Sequence, residues 1–265
     1  SFVTRKNNEV IPVLGKNLGI GDRVPILNYL PEHCIDEISL DNYINIPKNS
    51  RFKLVEREGL LLSRKKTLSK SIPKKLKLDG LFGYFIGAYL SEGNSTHGQI
   101  TISNLNDSFA DNIKSFVTIL GLSYKEEYHH RGFALSRDLK INSSLFANFM
   151  QTICKTGSAN KIVPDFSYSA NEDFVSGLLR GYFDGDGNFH VHRKMIRVSS
   201  NSKELLDGVS LLLSRFRIFS YKLKDKKNQY WLLIPYKYAP LFLANIGADI
   251  DYKRKSLEQL SELSK

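Results

Sequence analysis

Cysteine is almost missing from this chain: Cys34 and Cys154 are the only two in 265 residues. They lie far apart and outside any metal-ligand spacing, which excludes a disulfide framework and a cysteine-bound zinc. We read both as buried structural thiols in a reducing, intracellular compartment, wherever the partner polyanion resides. Long apolar runs are missing too. The longest, near 81–90, 211–213 and 231–235, fall short of the roughly 20 residues that cross a bilayer, so no membrane role is expected. The N-terminus has no signal-peptide pattern and begins with Ser1 rather than Met, which we read as an excised piece. Acid is scarce beside base: 27 Asp and Glu against 38 Lys and Arg give a net charge of +11. Such a balance points to a polyanionic partner. The hydrophobic share of 42% is that of a globular protein with real cores.

What is present is a duplication. Phe82 to Asn94 aligns without a gap on Ser176 to Asn188 at a constant offset of 94. Gly83 matches Gly177, Gly87 matches Gly181, Ser91 matches Gly185, and Glu92 matches Asp186. Small residues every fourth position make one stripe of a helix, and such a stripe lets two backbones approach closely. We expect Gly83, Gly87, Gly177 and Gly181 to form the interface between two subdomains. Each stripe ends in an acid followed by a Gly that can stop the helix.

The rest of the chain repeats one order of elements. A helix over 81–91 is followed by a strand over 99–103, a helix over 107–120, a hairpin of 123–129 with 132–136, and a short helix over 145–153. A second helix over 174–185 is followed by a hairpin of 188–192 with 196–199, a helix over 203–216, a hairpin of 219–224 with 230–235, and a short helix over 240–246. Loops are expected over 157–164 and 247–253. Each half therefore reads αββαββα, and the fold class is α+β with a small, mainly β segment at the N-terminus. We divide the chain into 1–72, 73–168 and 169–265. Arg64 to Lys77 reads as a basic linker that lies along phosphates. Two halves are too few for a solenoid; a pseudo-dimer about the two motif helices fits better.

Glu92 and Asp186 would then meet at the axis. A carboxylate at a helix C-terminus opposes the helix dipole, so simple capping does not explain the pair. A divalent cation between them does, and hard oxygens favour Mg²⁺ or Ca²⁺. Asp184 to Asn188 is no calcium loop, because Phe189 and Met195 stand where a turn Gly and a bidentate Glu belong. Basic and polar residues crowd the strands: His97, Gln99, Thr101 and Ser103; Tyr128, His129, His130 and Arg131; His190, His192, Arg193, Lys194 and Arg197; Lys222, Lys224, Lys226 and Lys227. A β-ribbon fits the major groove of duplex DNA, with polar positions on base edges and cations on phosphates.

The stretches Phe85 to Gly93 and Leu179 to Gly187 resemble the two motifs of LAGLIDADG homing endonucleases, over about residues 73–265. The resemblance implies two saddle-shaped antiparallel sheets and a monomeric, metal-dependent, site-specific double-strand DNA endonuclease. It implies that Glu92 and Asp186 bind the metal, helped by the main-chain carbonyls of Ser91 and Gly185. Mg²⁺ would be the cofactor, with Mn²⁺ substituting and Ca²⁺ supporting binding without efficient cleavage. Lys161 resembles the motif lysine of intein endonucleases, and Lys253 is its mate at an offset of 92; both are candidate catalytic groups. A long, asymmetric target cut to short 3′ overhangs is expected. Residues 1–25 resemble part of an intein splicing domain, and without its terminal residues the chain as numbered should not splice. The alternative is a catalytically silent nucleic-acid binder or RNA maturase on the same fold.

Overall fold

Short polar side chains cap five of the helices, each three places before a Phe or Leu. In the computed structural model, which describes residues 2–6, 9–22, 34–45, 53–64, 70–96, 98–131, 134–225 and 229–264, Asp79 accepts from the N–H of Phe82, Asn106 from Phe109, Ser143 from Phe146, Asn171 from Phe174 and Ser202 from Leu205. Such caps satisfy N–H groups that the helix itself leaves open.

The N-terminal part is made of small sheets. Strand β1 (Phe2–Lys6) pairs with β2 (Glu9–Val13). Strand β3 (Glu37–Ser39) is followed by a hairpin of β4 (Lys53–Arg57) and β5 (Leu60–Arg64). Then β6 (Ile72–Pro73) adds to β5, and β7 (Lys75–Lys77) pairs back onto β3. The basic stretch expected to be a linker is therefore paired strand from residue 72 onward. Its cations are also used: Lys74 bonds Glu56 at 2.7 Å and Lys75 bonds Glu37 at 2.6 Å.

The first repeat is α1 (Gly80–Glu92), β8 (Gly93–Thr96), β9 (Gln99–Ser103), α2 (Asp107–Ile119), β10 (Tyr124–Arg131), β11 (Ala134–Asn142) and α3 (Ser144–Cys154). The second is α4 (Glu172–Asp186), β12 (Asn188–His190), β13 (Met195–Ser200), α5 (Lys203–Arg215), β14 (Tyr221–Lys224), β15 (Tyr230–Pro235) and α6 (Ala239–Asn245), followed by α7 (Asp251–Glu262). The sheets run β8-β9-β11-β10 and β12-β13-β15-β14, antiparallel throughout. That is one topology used twice. Helix α7 has no counterpart in the first half, and it corrects the expected loop, which ends at Ile250.

Helices α1 and α4 pack so closely that side chains are excluded between them. A Cβ on Gly83 would lie 2.1 Å from the Phe174 carbonyl oxygen, and one on Gly177 would lie 2.0 Å from that of Gly80. Gly87 faces the Leu178 carbonyl at 2.1 Å and Gly181 faces the Tyr84 carbonyl at 2.2 Å. Under the offset of 94 each contact maps onto its partner, the reciprocity of an isologous interface. The glycines after the acids serve closeness too. Gly93 and Gly187 have φ of −87° and −70°, open to any residue. A Cβ there would lie 2.6 Å from Tyr89 and 2.4 Å from the Phe183 oxygen. They are needed for room, not for a left-handed stop.

Candidate active site

Both acids come to the ends of the paired helices. Glu92 is half-buried, and Asp186 is exposed by surface area although protein atoms crowd its carboxyl. Burial pushes the Glu92 carboxyl up and Asp186 pushes it further, while Lys253 and Lys161 pull it down. Asp186 is also pushed up by the protein around it, against the pull of Lys161 and Lys253. Two desolvated carboxylates facing two ammoniums form a tightly coupled cluster.

The lysines hold the helix ends. Lys161 is 6% exposed and Lys253 is 5% exposed. The Lys161 ammonium donates to the carbonyls of Tyr89 at 2.9 Å, Leu90 at 3.0 Å and Ser91 at 3.5 Å. Lys253 donates to Phe183 at 3.0 Å, Asp184 at 2.5 Å and Gly185 at 3.0 Å. The three carbonyls correspond one by one. These are among the acceptors that a helix C-terminus leaves open, and a cation there suits the dipole. Desolvation lowers both lysine pKa values, while neighbouring acids hold them up. The symmetry lies in the contacts and not in the elements: Lys161 comes from a loop and Lys253 from α7.

Asp184 is not at the surface with Asp186. It is 1% exposed inside α4 and accepts from the Tyr84 hydroxyl at 2.9 Å and from the Asp249 N–H at 3.0 Å. Its second oxygen is buried without a partner. Burial pushes its carboxyl up to about 6, and the Asp249 N–H and Tyr84 hydroxyl pull against that. Of the two cysteines, Cys154 is buried as expected, whereas Cys34 is exposed.

The sheets turn one face to the helices and leave the other open. Alternation puts Gln99, Thr101 and Ser103 on the open face of the first sheet, as expected, and register adds Asn94, Thr96, Lys140 and Asn142. On β10 the register assigns Lys125, Glu127 and His129 to that face. Tyr128 and His130 share the side of Glu126, whose carboxylate meets Lys114 of α2 at 2.5 Å. Lys222 likewise turns to the helix side and bonds Asp207 of α5; Lys224 shares its parity and lies over the Tyr230 ring, 5.3 Å away. On the second sheet the open face holds Asn188, His190 and Arg197, with an Arg197 nitrogen 3.2 Å from His190. His192, Arg193 and Lys194 are exposed in the turn after β12. His97, the Arg131 side chain, Lys226 and Lys227 lie outside the described residues. No described helix is long and apolar enough to cross a membrane.

The arrangement defines a class: a duplicated α+β unit, glycine-faced at its own interface, with an acid and a lysine at each helix end. Residues 173–247 match the model of the LAGLIDADG-like domain. The fold is similar to that of I-DmoI in complex with DNA and Ca, with a TM-score of 0.53 and 15% identity over 68% of this chain and 98% of that one. It is also similar to full-length DUF199/WhiA from Thermatoga maritima, with a TM-score of 0.51 and 14% identity over 86% of this chain and 66% of that one. In sequence the chain is 44% identical over 98% of its length to DNA-directed RNA polymerase subunit Rpo1C of Methanocaldococcus jannaschii, of which it spans 29%. It is 29% identical over 73% of its length to a probable translation initiation factor IF-2 of the same organism, of which it spans 17%.

Proposed function

We propose that the chain is a site-specific double-strand DNA endonuclease that uses divalent metal, with Mg²⁺ as the working ion. The observation that carries this reading is the meeting of Glu92, Asp186, Lys161 and Lys253 at the ends of two symmetric helices. The donor chemistry fits a hard cation: two carboxylates kept close at a cost in desolvation, with the Ser91 and Gly185 carbonyls beside them. A carbonyl oxygen has two lone pairs, so the lysine bonds leave each one able to accept again. Among the described residues no group of three or more His, Cys, Asp or Glu is gathered as a metal cage. Phosphate oxygens of the substrate complete such a set in this reading. When bound, the ion supplies charge stabilisation at the scissile phosphate and acidifies water. The chain's own part is to hold the two acids at a fixed spacing, one per strand.

The relatives support an inserted origin. An RNA polymerase subunit and a translation initiation factor share no activity, and the matched part is a minority of each. One segment recurring in unlike proteins is what a mobile insert leaves behind. The neighbours solved with DNA support duplex DNA as partner.

A second reading is a binder that does not cut. One observation favours it: both lysines already engage the carbonyls offered to the metal. Against it, phosphate binding has no use for two desolvated acids. The test is cleavage of a randomised duplex library with Mg²⁺ and with EDTA. Metal-dependent cutting at one long asymmetric site, leaving short 3′ overhangs, is expected. Glu92→Gln or Asp186→Asn should abolish double-strand cutting and leave binding largely in place. Full cutting by the doubly substituted protein would remove the reading.

A further inference from the structure

The two open sheet faces are chemically unlike. On the first, acids and bases are balanced within the face: Glu127 takes Lys140 at 2.5 Å and Lys125 at 2.9 Å, and Asp138 accepts a hydrogen bond from Ser103 at 2.5 Å. What remains is hydroxyls and amides. The second face carries Met195, Tyr221, Leu223, Trp231 and Leu233 by its register. Leu223 is 53% exposed and Tyr221 is 39% exposed. Leu223 and Tyr221 are thus large apolar groups left exposed on the strand surface, Met195 and Trp231 are half-buried beside them, and Leu233 is buried. The Arg197 guanidinium carbon lies over the Trp231 ring, 4.9 Å from its centre, and Arg197 is the single ionised side chain among the described open-face strand residues of this sheet. Exposed cations stand at the edge instead, Arg193 and Lys194 on the turn after β12.

The exposed apolar pair Leu223 and Tyr221, with cations at the edge of the sheet, matches a duplex groove that offers apolar groups on its floor and phosphates at its edges. In the major groove the apolar group is the C5 methyl of thymine. We propose that the second sheet reads thymine methyls through Leu223 and Tyr221, so that one half of the target is thymine-rich and the other is read by hydrogen bonds. The inference rests on the DNA reading above and names the base chemistry of one half-site.

The enriched sites from the library give the first readout: thymine should predominate at contacted positions of one half only. Duplexes are then made with deoxyuridine for thymine in one half at a time, which removes the methyl and keeps the pairing. Affinity should fall about fourfold per contacted methyl in the thymine-rich half and stay level in the other. Leu223→Asn should erase that sensitivity; Tyr221→Thr serves as a second variant, and a thermal melt checks that each is folded. Equal loss in both halves, or none in either, overturns the inference while DNA recognition stands. None in either half would leave the apolar face to a protein partner. A library from which nothing is enriched removes the DNA reading itself, and this inference with it.

Discussion

Lys161 and Lys253 were expected as catalytic groups, and their geometry adds a structural duty. Each ammonium spans three carbonyls at a helix end. Lys161→Met or Lys253→Met should cost about 2–4 kcal/mol of stability, because the carbonyls lose a charged donor in a buried place. Chemical denaturation measures it. A lysine engaged only in catalysis would slow cutting and leave the unfolding midpoint unmoved. Asp184 makes a different prediction. Its folded carboxyl titrates at about 6 against an ordinary 3.8, so the folded chain keeps a proton that the unfolded chain has released. Its contribution to stability should therefore fall as pH rises from about 4 to about 6 and level off above. Asp184→Asn should remove that slope and recover up to about 3 kcal/mol at neutral pH. Denaturant titrations in EDTA across that range read both effects.

At the scale of elements, the glycine stripe was the most legible feature of the sequence, because close helix packing leaves few residues a choice. Gly87→Ala or Gly181→Ala would put a methyl about 2 Å from a backbone oxygen of the facing helix. Neither helix can yield without separating the acids. We expect a loss above about 4 kcal/mol, visible as a lowered unfolding midpoint or no soluble protein. Alternation made β9 and the hairpin of β12 and β13 legible for a similar reason: Ile100, Ile102, Ile196 and Val198 bury every second position. Helix α7 was not legible. It buries Leu257 and Leu260 but also Lys253 and Ser261, so its inward face is half polar and offers few apolar residues to read. The acids and lysines could be read because duplication marked them. The faces of Tyr128, His130 and Lys222 could not, because one residue of register reverses every side chain of a strand.

At the scale of the molecule, the strands from β3 onward belong to the core rather than beside it. Ile38, Leu40, Ile44, Leu61 and Ile72 are buried in the same cluster as the motif helices. The Tyr43 ring meets Phe166 at 5.6 Å and Phe149 at 6.1 Å. Asn45 and Asn148 exchange two hydrogen bonds, at 2.9 Å and 3.0 Å. Asn171, which caps α4, also donates to Asp36 at 2.9 Å and to the Leu78 carbonyl at 2.8 Å, tying the start of both motif helices to this segment. A boundary at residue 72 would cut through that packing. Full burial of one such side chain is worth roughly 1.5–3 kcal/mol, and a whole domain has only about 5–15 kcal/mol to lose. A protein beginning at residue 73 should therefore lose its cooperative thermal transition or aggregate, where the full chain should melt in one step. If it unfolded cooperatively at the same temperature as the full chain, residues 34–72 would be an appendage, and the buried isoleucines and leucines would contribute nothing to the fold that holds Glu92 against Asp186.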